Sequence, residues 1–457
     1  MSELINNDIV KINGIKILKR NGKIYLYVVD DTAIYCIDEN TEKILNSDGE
    51  SCSDIYEKVK DGMSKEAFAN LITQLKEANI IDNGCALEKE QFVYGKFGVS
   101  ALILLIVQDC NLRCSYCYGE GGEYKHRGKM SLETAKRSVD YLFENSGERE
   151  DLFITFFGGE PLLRFDFIKE VVEYIELKEK EYNKKVHYSM TCNGTLLTEE
   201  ISQYIIDKEI SVTISIDGNE EVHDFNRYYC DKRGSYNDVI EKTKLLREKT
   251  RLTARATLTN KELNVTKIFN DLYSLKFSNV AVAPCIDKIN KEEYVELAEN
   301  YKKLIWNFND LVKKGEYIKA KKIGIIMKML KRIDESGSSR TFCGANRNMM
   351  AVDIEGNLFP CQRFVGNDKF IQGNVFDGVD EKKHEHTIRE FLIDSHDKCT
   401  DCWCKNLCGG GCPYENFQSN GESNIPHEDS CMLNKAFFEE LIYLYMDLSA
   451  EEKENLF

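Results

Sequence analysis

The chain has 457 residues, 42% apolar and 30% charged, with 61 Lys and Arg against 77 Asp and Glu, for a net charge of −16. That length calls for about two or three domains, and the composition is that of a globular chain rather than a disordered one. The acidic balance argues against a nucleic-acid partner, whose phosphates Lys and Arg must neutralise, and the longest clean apolar run, residues 101–107, is too short to cross a bilayer.

The first residues, Met1-Ser-Glu-Leu-Ile-Asn-Asn-Asp, lack the basic, apolar and small-residue zones of a signal peptide, so a cytoplasmic chain with no membrane partner is expected. In a reducing compartment thiols stay free, and 17 cysteines then point to metal or redox chemistry rather than disulfides.

Residues 1–85 read as a small module. Strands over 9–18 and 23–29 flank the hairpin signal Asn21-Gly22, and a third strand covers 33–37. Helical stretches follow at 40–45 and 53–60. A clearer helix starts at the N-cap candidate Ser64, with Phe68, Leu71, Ile72 and Leu75 on one face. This order resembles the winged-helix RiPP recognition element (RRE), which binds the leader of a ribosomally made precursor peptide. The resemblance implies a peptide added as a strand in a groove between residues 23–29 and 64–79. A purely structural cap and a DNA-binding winged helix are the other readings, and DNA is disfavoured because residues 64–79 hold only two lysines beside two glutamates.

Residues 86–98 form a linker. Over 99–310 strands at 100–107, 152–157, 186–192, 211–216, 252–258 and 279–283 alternate with helices, an α/β pattern of right-handed parallel units. Sites in such folds gather at the C-terminal strand ends. There, directly after the first strand, stands Cys110-Asn-Leu-Arg-Cys114-Ser-Tyr-Cys117. Thiolate is the soft ligand that iron–sulfur clusters prefer; a zinc knuckle is the alternative, although zinc sites usually close with four ligands. The C-x3-C-x2-C loop resembles that of the radical S-adenosylmethionine (SAM) enzymes, and six strands match their partial (β/α)6 barrel. The resemblance implies that Cys110, Cys114 and Cys117 hold a 4Fe-4S cluster whose open iron binds SAM, with Tyr116 against the adenine. It assigns Gly158, Gly159, Glu160 and Pro161 to the SAM amino group, and Ser215 and Asp217 to the ribose side. Asn193, in the turn after the third strand, is a further SAM contact, and Arg227 or Arg255 is a partner for the carboxylate. Cys192, Cys230, Cys285, Cys36, Cys52 and Cys85 have no partner spacing and read as structural or exposed.

Residues 291–322 read as a helical linker packed outside the barrel, and residues 311–342 as a helical connection. Over 343–457 the thiols crowd again: Cys343, then Gly356 and Cys361, then Cys399, Cys402, Cys408 and Cys412, and finally Cys431. This spacing resembles the SPASM domain with its two auxiliary 4Fe-4S clusters; a zinc ribbon is the alternative. Carried over residue by residue, Cys399, Cys402, Cys408 and Cys431 hold the outer cluster and Cys343, Cys361 and Cys412 the inner one. The inner set is one ligand short, since residues 344–350 contain no thiol, and Cys404 reads as a bystander. The resemblance implies a radical SAM peptide maturase of the thioether-forming sactipeptide and ranthipeptide type. It would use three 4Fe-4S clusters, SAM, a precursor peptide, and an electron donor such as flavodoxin or ferredoxin. Carbon–carbon crosslinking, epimerisation and sulfatase-type formylglycine maturation are the rivals, as is a non-catalytic metal-binding scaffold.

Overall fold

A computed structural model describes residues 8–82 and 98–457. Most of the expected linker, with Cys85 and the aromatic stretch 92–94, lies outside the described residues.

The N-terminal module is an antiparallel sheet of β1 (Ile15–Arg20), β2 (Lys23–Val28) and β3 (Ile34–Ile37) in the order β1-β2-β3. Asn21 and Gly22 both take positive φ, 50° and 74°, giving the two-residue turn whose twist suits a hairpin. Three helices follow, α1 (Glu39–Leu45), α2 (Cys52–Val59) and α3 (Lys65–Glu77), each opened by a side chain that accepts a first-turn N–H: Asp38, Ser51 and Ser64. Leu26 and Val28 face these helices and pack with Ile44, Ile55 and Phe68. Leu18, Tyr25 and Tyr27, which alternate with them in the pleat, join the main core instead. Two expectations are corrected. Residues 9–14 are not part of the first strand; Ile9 and Ile12 make only isolated bridges, to Ser51 and Ile81. The strand at 23–29 is central, paired on both sides, so a peptide cannot add to it, and the sheet's edges are β1 and β3.

The main sheet begins at β4 (Ala101–Gln108), an uninterrupted apolar strand buried along nearly its whole length. After the short β5 (Gly128–Lys129) come β6 (Asp151–Gly158), β7 (Lys185–Cys192), β8 (Ser211–Ser215), β9 (Thr253–Leu258) and β10 (Asn279–Pro284). Among these, β4 and β6 to β10 run parallel in the order β10-β9-β8-β7-β6-β4. Helices connect them: α4 (Leu132–Asn145), α5 (Phe165–Tyr182), α6 (Glu199–Asp207), α7 (Glu220–Asn226), α8 (Tyr236–Lys242), α9 (Lys244–Lys249) and α10 (Val265–Ser274). The sheet does not stop at β4. Strand β11 (Met349–Val352), from the cysteine-rich tail, pairs parallel with β4, and β12 (Asn357–Phe359) extends it antiparallel.

Residues 291–322 are helical and pack outside the parallel strands, but as part of the core rather than as a linker. Helix α11 (Lys291–Lys313) buries Tyr294, Leu297, Tyr301, Leu304 and Phe308 and lies between α10 and the C-terminal helix Glu428–Asp447. The boundary expected at 310/311 falls inside it, and one core runs from Leu18 to Leu456. Among the described residues no helix is long and apolar enough to cross a membrane.

Candidate functional site

At the C-terminal ends of the parallel strands lies a cavity of about 390 Å³. Its wall is built from residues that the two-residue pleat turns inward, among them Thr191, Thr213, Ser215, Arg255 and Thr257. Cys110, Cys114 and Cys117 line one side. Their loop is held by the segment after α7: Arg113 N–H donates to Tyr228 O (2.8 Å) and Ser115 N–H to Asn226 O (2.9 Å).

Gly158 and Gly159 stand where no side chain fits. A Cβ on Gly158, whose φ is +142°, would lie 2.1 Å from Val107 O, and one on Gly159 would lie 2.0 Å from Asp109 O. The backbone of β6 is thereby pressed against the start of the cysteine loop. Glu160 follows, fully buried. Its Oε1 accepts from Leu162 N–H (3.0 Å) and its Oε2 from Asn193 N–H (2.7 Å). Burial pushes this carboxyl up to about 7, against the pull of those two donors. Asn193 in turn donates to Asn111 Oδ1 (2.8 Å) and to Cys110 Sγ (3.8 Å). Pro161 opens a 3-10 turn, Pro161–Arg164, behind the cavity.

Ser215 lines the cavity, but Asp217 does not. It is fully buried, with Oδ2 accepting from Tyr116 OH (2.6 Å) and Arg227 Nε (3.2 Å) and Oδ1 from Thr257 N–H (2.9 Å). Arg227 lies over the Tyr116 ring at 5.2 Å and points Nη1 at Cys114 Sγ, 3.6 Å away. Asp217 thus fixes Tyr116 and Arg227 from behind rather than facing the cavity, because three donors already use both its oxygens.

The tail thiols fall into two groups. Burial and mutual repulsion push Cys361 up to about 12 and Cys412 to about 11, with Cys343 raised beside them. The same causes push Cys399 up to about 12 and Cys408 to about 11, with Cys402 and Cys431 as electrostatic neighbours. Cys404 is not remote: its Sγ is 3.7 Å from Cys402 Sγ. Donors aim at the sulfurs, Arg363 at Cys412 (3.5 Å) and Asn434 at Cys408 (3.5 Å). Among the described residues no three His, Cys, Asp or Glu side chains converge on a single ion. A cubane spreads its ligand sulfurs over separate corners and needs no such convergence. Clustered thiols, half-buried apart from buried Cys399 and exposed Cys343, with N–H donors on the sulfurs, fit iron–sulfur clusters.

Two of the cysteines read as structural line the cavity, Cys192 and Cys285. Cys52 is buried in the N-terminal core, and Cys36 and Cys230 are exposed. Residue spacing did not single out Tyr118, Gln362, Arg363 and Glu415, all in the cavity wall. Arg363 pairs with Glu415 (2.7 Å) and lies over the rings of Tyr414 (4.4 Å) and Tyr118 (5.6 Å). Each immediately follows, or lies close after, a predicted ligand, Cys117, Cys361 or Cys412, and that proximity is the signal that could have found them.

Residues 104–263 match the model of the radical SAM superfamily. The chain is 28% identical to a cysteine-type anaerobic sulfatase-maturating enzyme of Clostridium novyi, over 75% of this chain and 95% of that one. It is 31% identical to an uncharacterized protein of Methanocaldococcus jannaschii over 66% of this chain and 99% of that one. Its fold is similar to that of anSMEcpe with bound AdoMet and the Cp18Cys peptide (TM-score 0.64, 24% identity, 77% of this chain and 100% of the other). It is also similar to that of Streptococcus suis SuiB bound to precursor peptide SuiA (TM-score 0.50, 14% identity, 92% and 98%). With the cysteine loop, the glycine pair and the polar strand ends meeting in one cavity, the chain carries a radical SAM domain and is related to the sulfatase-maturating enzymes.

Proposed function

We propose that the chain forms an intramolecular cysteine thioether, sulfur to carbon, in a ribosomally made precursor peptide. The observation that carries this is the inner tail group. Cys343, Cys361 and Cys412 lie together, no thiol occurs at 344–350, and the residues next to these ligands, Gln362, Arg363 and Glu415, form part of the cavity wall. A three-thiol set leaves one iron free to take a substrate thiolate beside the site of radical formation.

In this reading Cys110, Cys114 and Cys117 hold the SAM-binding 4Fe-4S cluster; Cys399, Cys402, Cys408 and Cys431 hold the outer auxiliary cluster. When bound, SAM and its cluster supply a carbon-centred radical that abstracts hydrogen, and the tail clusters supply an electron acceptor. The chain's own residues orient and enclose. The glycine pair lets backbone approach the SAM amino group, Glu160 braces Asn193 toward Cys110, and Asp217 holds Tyr116 and Arg227 at the cysteine loop. The substrate loses one hydrogen atom from carbon, one proton from its thiol and one electron to the tail.

Residues 1–85 are the leader-binding module, with the peptide adding at the β3 edge. Tyr35 and Cys36 are exposed there. The partial barrel begins at 99 and runs through α11 to Lys313, and 343–457 form the SPASM domain, with an electron donor of the flavodoxin or ferredoxin type. Support comes from SuiB, a precursor-peptide-bound structure whose similarity spans 92% of this chain. The 28% relative favours a second reading, sulfatase-type maturation. Product mass distinguishes them. A thioether loses two hydrogens with its cysteine no longer alkylatable; a carbon–carbon link loses the same mass but keeps an alkylatable thiol, and epimerisation changes no mass. An oxidised cysteine or serine side chain without a crosslink overturns the thioether reading.

A further inference from the structure

Three arginines line the cavity, and two of them are neutralised. Arg227 pairs with Asp217 at 3.2 Å and Arg363 with Glu415 at 2.7 Å. The third, Arg255, is the middle inward residue of β9, between Thr253 and Thr257; its carbonyl accepts from Ile216 N–H at 3.0 Å, but among the described residues its side chain has no hydrogen bond and no ion pair. Asp287, another carboxylate in the cavity wall, forms no ion pair with it among the described residues, and Glu160 spends both oxygens on backbone amides. The Arg255 side chain is exposed at the cavity surface, and an anion that fits its fork gains a bidentate, charge-assisted contact there.

Arg255 and Arg227 face different groups. Arg227 is at the cysteine loop, with Cys114 Sγ at 3.6 Å. The electrostatic neighbours of Arg255 include Arg363 and Glu415 of the tail, together with Tyr301 of α11 and Tyr118 beside Cys117, so it lies between the cysteine loop and the tail. That is the side between the inner thiol group and the barrel, where a substrate segment must lie if its sulfur is to reach Cys343, Cys361 and Cys412.

We infer that Arg255 is a binding site for a carboxylate of the substrate peptide, an Asp or Glu side chain or a C-terminus close to the modified cysteine. This rests on the peptide-modification reading above. The same chemistry could come from the SAM carboxylate, and the experiment has an arm for each source.

The full chain, reconstituted anaerobically with iron and sulfide, is immobilised with SAM and offered a library of short peptides that contain one cysteine and are otherwise randomised. Retained peptides are sequenced for the parent, Arg255→Gln and Arg255→Glu, and the SAM dissociation constant of each is measured without peptide. The expected result is enrichment of Asp and Glu over Asn and Gln, or of a free C-terminus, by about tenfold at a fixed distance from cysteine. The enrichment disappears in Arg255→Gln and turns toward Lys and Arg in Arg255→Glu, and SAM binds Arg255→Gln within about twofold of the parent. Retention without acidic preference, or an acidic preference that survives in Arg255→Gln, overturns the anion site alone. So does a SAM dissociation constant about tenfold higher in Arg255→Gln, which assigns the guanidinium to SAM. A parent that retains no peptide at all overturns the anion site together with the peptide reading.

Discussion

Arg227 and Asp217 form an ion pair that water scarcely reaches, with Asp217 fully buried and Arg227 8% exposed. Tyr116 OH completes the arrangement at 2.6 Å. Removing the charge from one partner strands the other, and breaking a buried pair this way costs about 3–5 kcal/mol. Asp217→Asn is therefore expected to lower the unfolding midpoint by several degrees and to weaken SAM binding, since Tyr116 and Arg227 both lose their anchor. The double variant Asp217→Asn with Arg227→Met is expected to be more stable than the sum of its single variants, because no unpaired charge remains. Thermal unfolding of the three variants checks it; strict additivity contradicts the coupling.

Gly159 gives a steric prediction. A methyl group there would sit 2.0 Å from Asp109 O and 2.8 Å from Gly122 O, both backbone atoms that no rotamer change can move. Gly159→Ala is expected to displace the cysteine loop and lower stability by about 1–3 kcal/mol. Iron bound at Cys110, Cys114 and Cys117 should fall while iron at the tail persists, as read by iron analysis together with electron paramagnetic resonance in the presence and absence of SAM.

The thiol groups predict a count. Three four-iron clusters require about twelve iron per chain. The triple variant Cys110→Ala, Cys114→Ala, Cys117→Ala is expected to retain about eight and to form no 5′-deoxyadenosine. A variant that still cleaves SAM contradicts the roles given to the loop and the tail.

Much of this was legible before any coordinates. Strand β4 reads from its unbroken apolar run, Ser64 from its capping position, and the three thiol groups from spacing alone, because each of these is a local property of the chain. Contacts distant in sequence were not legible. That β11 continues the sheet at β4 depends on pairing between residues about 250 positions apart, such as Met350 with Leu102. The burial of α11 follows from the C-terminal helix that covers it. Asp217 was read as facing the cavity because a carboxylate after a barrel strand usually does; its three donors come from Tyr116, Arg227 and Thr257, on different elements. Arg255 and Arg227 were equivalent in sequence, and only their partners tell them apart.

His223 sets a pH dependence of stability. It is fully buried in α7, with Nε2 2.9 Å from Ser235 Oγ and Nδ1 accepting Asp217 N–H at 3.4 Å. Burial, with help from Arg227, pushes it down to about 3. As pH falls below the ordinary value near 6.5 the unfolded chain takes up a proton that the native chain refuses, so stability is lost between about pH 6.5 and 3. The loss over the whole window is on the order of 5 kcal/mol for a shift of this size. Urea unfolding midpoints measured from pH 7.5 to 4.5 should fall more steeply in the parent than in His223→Gln.

The N-terminal module is tied to the C-terminal helix Glu428–Asp447 through Arg20. Its guanidinium pairs with Glu440 at 2.7 Å, lies 4.2 Å from the Trp306 ring centre and 4.9 Å from that of Tyr443. Glu440 also accepts from Trp306 Nε1 at 2.9 Å, and Asn406 donates to Val29 O at 2.7 Å on the neighbouring part of the contact. Arg20 is half-buried, so its charge pair is partly screened, and the stacked aromatic faces add about 0.5–2 kcal/mol. Arg20→Ala is expected to weaken this contact by about 1–2 kcal/mol without unfolding the module, whose own core around Leu26, Ile44 and Phe68 does not include Arg20. Hydrogen exchange should then quicken about tenfold at residues 15–37 while α5 and β6 stay protected. If the module also delivers a peptide to the barrel, the same variant should raise KM for the precursor more than it lowers kcat, because the loosened contact acts on delivery and not on the radical step.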